Sequence, residues 1–140
     1  MQKSIFFVIS FFLVQNVWSF ESGKYFGENK DIKCEVYIEQ QADRALVDYD
    51  CLTTEGTILQ SGLTQTYMFG SFSQEVQDTS GTYIVSGSGS DKLLEYKIVK
   101  TSDNNRTWLE QIKNLGTGKI NYLMSFDTDV WIDLDLSITK

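Results

Sequence analysis

The chain contains no histidine and no proline, and only two of its 140 residues are cysteine. Without histidine no ordinary Ser–His or Cys–His couple can form, and the commonest metal-ligating side chain is missing. Without proline, no position is barred from a strand interior by a lost backbone donor. Basic residues are few: 12 Lys and Arg stand against 19 Asp and Glu, a formal net charge of −7. A surface of that sign repels phosphate backbones and anionic lipid, which argues against nucleic-acid and membrane-surface partners. Long apolar runs are scarce as well. The one clear run, Ile5 to Val14 broken by Ser10, follows Lys3 and precedes Val17-Trp18-Ser19. It is too short for a bilayer core of about 30 Å and has the layout of a secretory signal cleaved after Ser19. No cysteine follows the run to carry a lipid anchor. The expectation is a signal peptide over residues 1–19 and a single domain over 20–140, secreted or periplasmic, without membrane insertion after cleavage. Losing Lys3 takes the charge from −7 to −8.

Beyond Phe20 no stretch carries helical periodicity. Short alternating runs separated by Gly, Ser, Asn and Asp recur instead, as in an all-β chain. The clearest pair is Cys34-Glu35-Val36-Tyr37-Ile38 and Val47-Asp48-Tyr49-Asp50-Cys51. Folded as a hairpin about Ala42-Asp43, they set Cys34 opposite Cys51, Val36 opposite Tyr49 and Ile38 opposite Val47. One face is then apolar and carries both sulfurs, while Glu35, Tyr37, Asp48 and Asp50 point away. Two cysteines so placed in an exported chain predict one disulfide, Cys34–Cys51.

Further strands are expected at Leu59 to Phe69, Gly81 to Val85, Leu94 to Ile98, Arg106 to Leu115 and Ile120 to Phe126. After a turn at Asp127-Thr128-Asp129, a final strand has the cleanest alternation, with Val130, Ile132, Leu134, Leu136 and Ile138 on the core side. Gly23 to Gly27 reads as a turn or short strand in a lead-in. Gly70 to Ser80 reads as polar and irregular, either a short strand around Gln74-Glu75-Val76 or a surface loop, and Ser86-Gly87-Ser88-Gly89-Ser90-Asp91 reads as a flexible hairpin loop. Ser102 to Asn105 reads as a turn. The sum is a single antiparallel up-and-down meander of about eight strands. With no helix to cover a face, such a sheet removes its edges by curling into a closed or nearly closed small barrel. A two-sheet sandwich is the alternative.

Sites are sparse. The Ser86 to Ser90 stretch lacks the Gly-x-Ser-x-Gly spacing, and neither Gly-rich loop opens a helix to hold phosphate. No catalytic residue and no cofactor is predicted, and the chain is read as non-enzymatic. Asp127, Asp129, Asp133 and Asp135 form the densest oxygen cluster, but no Gly-centred calcium loop accompanies them, so they read as a polar strand face and no metal is predicted. Tyr67, Tyr96, Trp108 and Tyr122 are candidates to line a cavity, since such rings pair an apolar body with a polar tip. Ser61 and Gly62 are small enough to help leave a void. Asn105-Arg106-Thr107 matches a glycosylation acceptor in an exposed turn.

Gly23-Lys24-Tyr25 near the mature start, followed by a meander, resembles the calycin group of lipocalins and their small relatives. The glycine-to-first-cysteine spacing is similar to that of small bacterial metalloprotease inhibitors, which are one-disulfide barrels. The resemblance covers some thirty residues and transfers no site residue. It implies a barrel that binds rather than reacts. Two functions follow as expectations: a carrier of a small apolar ligand, or a barrel that binds another exported protein, as an inhibitor or adaptor does, through the loop from Ser86 to Asp91.

Overall fold

The computed structural model describes residues 20–139, with the side chains of 60–64 outside the description. The expected signal peptide, and the side chains of Ser61, Gly62 and Leu63, therefore lie outside the described residues. Ten strands follow one another: β1 (Gly23–Glu28), β2 (Ile32–Gln40), β3 (Arg44–Thr53), β4 (Ile58–Met68), β5 (Gly70–Asp78), β6 (Gly81–Gly89), β7 (Leu93–Lys100), β8 (Arg106–Gly116), β9 (Lys119–Phe126) and β10 (Asp129–Ile138). They form one antiparallel sheet in the order β4-β3-β2-β1-β10-β9-β8-β7-β6-β5. The all-β meander is as expected, with ten strands in place of about eight. Gly23–Glu28 is a full strand between β2 and β10, and Gly70–Asp78, read as irregular, is a full strand too.

The Cys34 hairpin has the expected register. Cys34 pairs with Cys51, Val36 with Tyr49 and Ile38 with Val47, and a disulfide joins the two cysteines across a Cα separation of 4.1 Å. All six side chains are buried. On β10, Ile132, Leu134 and Leu136 are buried as expected, but Val130 is 58% exposed. A register shift between Val130 and Ile132 breaks the alternation there. Such a bulge turns the side chains before it away from the face they would otherwise share.

The sheet curls. Tyr49 on β3 and Tyr122 on β9 stand four strands apart along the ladder, yet their ring centroids are 4.9 Å apart. Only Phe69 separates β4 from β5, so the two ends of the sheet must meet at that corner. Gly70 takes a positive φ of 107°, and the Met68 carbonyl lies where a Cβ on Gly89 would sit. Full closure is not made: among the described residues no ladder joins β4 to β5, and both remain edge strands. β5 leaves the corner paired to β6 alone, so the two edges meet at Phe69 and part beyond it, leaving that end open.

The hydrophobic core lies inside the curl. It draws on Phe20, Tyr25, Val36, Val47, Ile112, Met124 and their neighbours from most of the sheet. Tyr25 donates its hydroxyl proton to the Glu21 carbonyl at 2.6 Å, and burial lifts its pKa to about 12.

Candidate functional site

Strand β8 leads from the core to the open end. Residues two apart share a strand face, and here Ile112, Glu110 and Trp108 share the concave one. Ile112 lies between Leu94 and Tyr122, Glu110 between Tyr96 and Met124, and Trp108 between Ile98 and Phe126. The first is fully buried, Glu110 is 2% exposed, and Trp108 is only half-buried.

Around Glu110 the core is polar. The Tyr122 hydroxyl donates to its Oε1 at 3.4 Å. The Tyr122 ring packs on Tyr49, whose hydroxyl shares a short hydrogen bond with that of Tyr67. Burial raises the Glu110 carboxyl above the ordinary carboxylate range, partly opposed by the Tyr122 hydroxyl. Burial also drives the Tyr49, Tyr67 and Tyr122 phenols well above theirs, with the Glu110 charge adding to each. The phenols therefore stay protonated; Tyr122 donates to the buried acid, while Tyr49 and Tyr67 bond each other. A buried carboxyl without such a donor would be costly.

Past Glu110 the concave face opens into a cavity of about 380 Å³. Tyr83, Ile98, Trp108 and Phe126 form its apolar floor and walls, and Lys100, Asp103 and Arg106 its rim. A second depression of about 240 Å³ continues it across Val76 and Val85, sharing Tyr83 and Ile98. Together they make one apolar groove along the inner side of β5, β6 and β7. At the rim the Arg106 guanidinium lies 4.5 Å from the Phe126 ring centroid and bonds Asp127 at 3.1 Å. The Thr107 backbone N–H, first, and the Arg106 guanidinium hold the Asp127 carboxyl below its usual range. Lys100 stands 5.6 Å from the Tyr83 ring centroid. Trp131, at the β10 bulge, meets Trp108 edge-on at 5.7 Å.

The four aromatic cavity candidates part company. Tyr67 and Tyr122 belong to the buried cluster, and Tyr96 packs half-buried opposite Glu110. Trp108 alone reaches the cavity. The proposed loop is a correction: Ser86, Gly87, Ser88 and Gly89 lie in β6, paired to both β5 and β7, and only Ser90, Asp91 and Lys92 turn. The small residues have a packing reason. The Phe72 ring lies against Gly87 and the Met68 carbonyl against Gly89, so a side chain at Gly89 would meet backbone and one at Gly87 would have to displace the Phe72 ring.

The four acids of the last hairpin do not converge. Asp127 is tied to Arg106 and Thr107, Asp133 and Asp135 both accept from the Asn121 amide, and Asp129 is exposed at the start of β10. Among the described residues no group of three or more acidic or cysteine side chains is placed to hold a metal ion. Asn105 is exposed, in the expected turn.

Reading the sequence for function overlooked Glu110. Glu110 had a signal: it sits two residues from both Trp108 and Ile112, on the strand face that carries those two apolar side chains. No family model matches this chain, and no curated protein matches it.

Proposed function

We propose that this is an exported, non-catalytic binding protein, a nearly closed lipocalin-like barrel that carries a small apolar ligand. The ligand lies between Tyr83, Ile98, Trp108 and Phe126. The observation that supports this reading is the contrast along β8, where a tightly filled core gives way within four residues to an open aromatic cavity of about 380 Å³. That volume is at the small end of known ligand pockets, of order 300–1,000 Å³, and suits a single-ring or short acyl compound. Rim charges already engaged with each other, as Arg106 is with Asp127, favour holding a ligand over reacting with it. The absence of histidine and the use of both cysteines in a disulfide agree with a role that is not chemical. The disulfide also fits an oxidising compartment, secreted or periplasmic.

The protein-binding alternative loses its loop, since Ser86 to Gly89 are laddered on both sides. Titration with indole and with decanoate, following tryptophan fluorescence, tests the carrier reading. Saturable binding that Trp108→Ala weakens about tenfold, or 1.4 kcal/mol, is the expected result. Native mass spectrometry of protein from its own source should show an adduct of small mass that is lost on denaturation. A clean apo mass, together with no saturable binding of either probe, would overturn the assignment.

A further inference from the structure

The β5 edge carries an inference independent of the ligand. All nine of its residues are exposed, and its register with β6 runs unbroken from Gly70↔Gly89 to Asp78↔Gly81. Natural edge strands are guarded by Pro, by Lys, by bulges or by being short. β5 has no Pro, Lys or bulge and is nine residues long; Glu75 and the end residue Asp78 are its only charges. Its hairpin closes on Asp78 and Gly81 around a two-residue turn, so Asp78, Val76, Gln74, Phe72 and Gly70 direct their backbone groups to β6. Ser71, Ser73, Glu75 and Gln77 direct theirs outward. The opposite strand agrees: Thr82, paired with Gln77, gives its carbonyl to Thr101 on the far side at 3.0 Å.

We propose that β5 is the contact edge of a symmetric dimer, in which two copies pair antiparallel about a two-fold axis at Gln74. This register sets Ser73 opposite Glu75 and Ser71 opposite Gln77 of the other copy, matching the four residues whose groups are free. It forms on the order of eight backbone hydrogen bonds. It also sets Phe72 opposite Val76, the two large apolar side chains of the strand, which are 46% and 38% exposed. Moving the axis to Glu75 would bring that carboxylate against its own copy, and moving it to Ser73 would waste Val76 on Gly70. The pairing is self-complementary and closes at two copies. Stacking β5 onto the β4 edge of another copy is less favoured, because the β3–β4 ladder is broken by two register shifts. Since Phe72 and Val76 share the concave side, the two apolar grooves become one continuous trough. The one adverse contact is the diagonal approach of the two Glu75 side chains on the outer face, which salt screens.

Sedimentation velocity of the purified, disulfide-bonded protein across a concentration series should show one copy passing to two, with association tightening as salt rises. Gln74→Cys should give a disulfide-linked dimer under mild oxidation, because the two axial positions face each other, while Gln77→Cys should not. Ser73→Pro removes an outward N–H and no β6 bond, so it should abolish the dimer and leave circular dichroism and melting unchanged. Glu75→Gln should tighten association at low salt by roughly twofold or more. A single copy at every concentration would overturn the proposal. So would equal crosslinking at both cysteine positions, dimerisation of Ser73→Pro like the parent, or growth beyond two copies.

Discussion

Strands β3 and β5 have similar lengths and opposite fates. In β3, Ala45, Val47, Tyr49 and Cys51 are all at most 2% exposed, and the residues between them face water or lie half-buried. In β5 nothing is buried, and in β6 every residue is half-buried on both faces. Both regions are antiparallel sheet, β3 laddered on both sides and β5 on one. The difference is the second layer. Where the sheet curls back on itself, each inward side chain meets another, as Tyr49 meets Tyr122. β4 approaches β6 at the Phe69 corner, but among the described residues no strand is laddered to the outer side of β5, and the inner face of β5 and β6 remains a groove. Hydrogen bonding shapes both regions, but packing secures only one.

The widest gap should appear on truncating core against groove. Ile132→Ala is expected to cost about 2–5 kcal/mol, and Val85→Ala less than about 1 kcal/mol. Equal losses in a urea titration would erase the distinction between the two regions. Next in size is the disulfide, which belongs wholly to the packed region. Replacing Cys34 and Cys51 together by Ser opens a loop of sequence separation 17, at a cost of about 3 kcal/mol. A urea midpoint that does not move would show that this hairpin is held by its side chains alone.

Glu110 marks the frontier, and its effect is read against pH. Burial raises its carboxyl above the ordinary 4.5, so the folded protein holds this proton more tightly than the unfolded chain does. Its contribution is full below the unfolded value of about 4.3. It is lost as pH rises through the folded-state value and then levels. Glu110→Gln should flatten that fall, leaving melting near pH ~4 little changed and raising it near pH ~8 relative to the parent. Parallel profiles for the two proteins would place this carboxyl in water. Smallest of all, Asp135→Ala on the outer face of the packed region should stay within about half a kcal/mol. A larger loss would mean that its shared hydrogen bond with Asp133 to Asn121 matters to the last hairpin.

How legible each part was in the sequence follows from the same contrast. Alternation marks a strand when one face is buried, and Cys34 to Cys51 had alternation and a sulfur pair in one register. Of Gly70 to Asp78 only a short strand around Gln74-Glu75-Val76 was legible, as one of two readings, because a strand with neither face buried places little constraint on its pattern. Ser86 to Gly89 misled for a different reason. Gly87 and Gly89 are small because Phe72 and the β4–β5 corner press on them, and a serine–glycine alternation made by packing looks like one made by a turn. Val130 continued a perfect alternation through a bulge that no residue type announced. The open cavity depends on which strands lack a partner layer, a property of the curl that no local pattern encodes.

The place of β1 between β2 and β10 bears on how the molecule is made. Tyr25 pairs with Ile138, a separation of 138 − 25 = 113 residues, so the ladder in the middle of the sheet is the last that a growing or threading chain can form. Until then β1–β4 and β5–β10 are two unjoined sheets, and the slowest step of folding should be their meeting. Read from β5 round to β4, the sheet order is a rotation of the chain order. A permutant that links residue 139 to residue 20 and begins at Gly70 would have every ladder between sequence neighbours. It should melt like the parent and refold faster in stopped-flow dilution from urea. Unchanged rates would show that the join between the two ends does not limit folding.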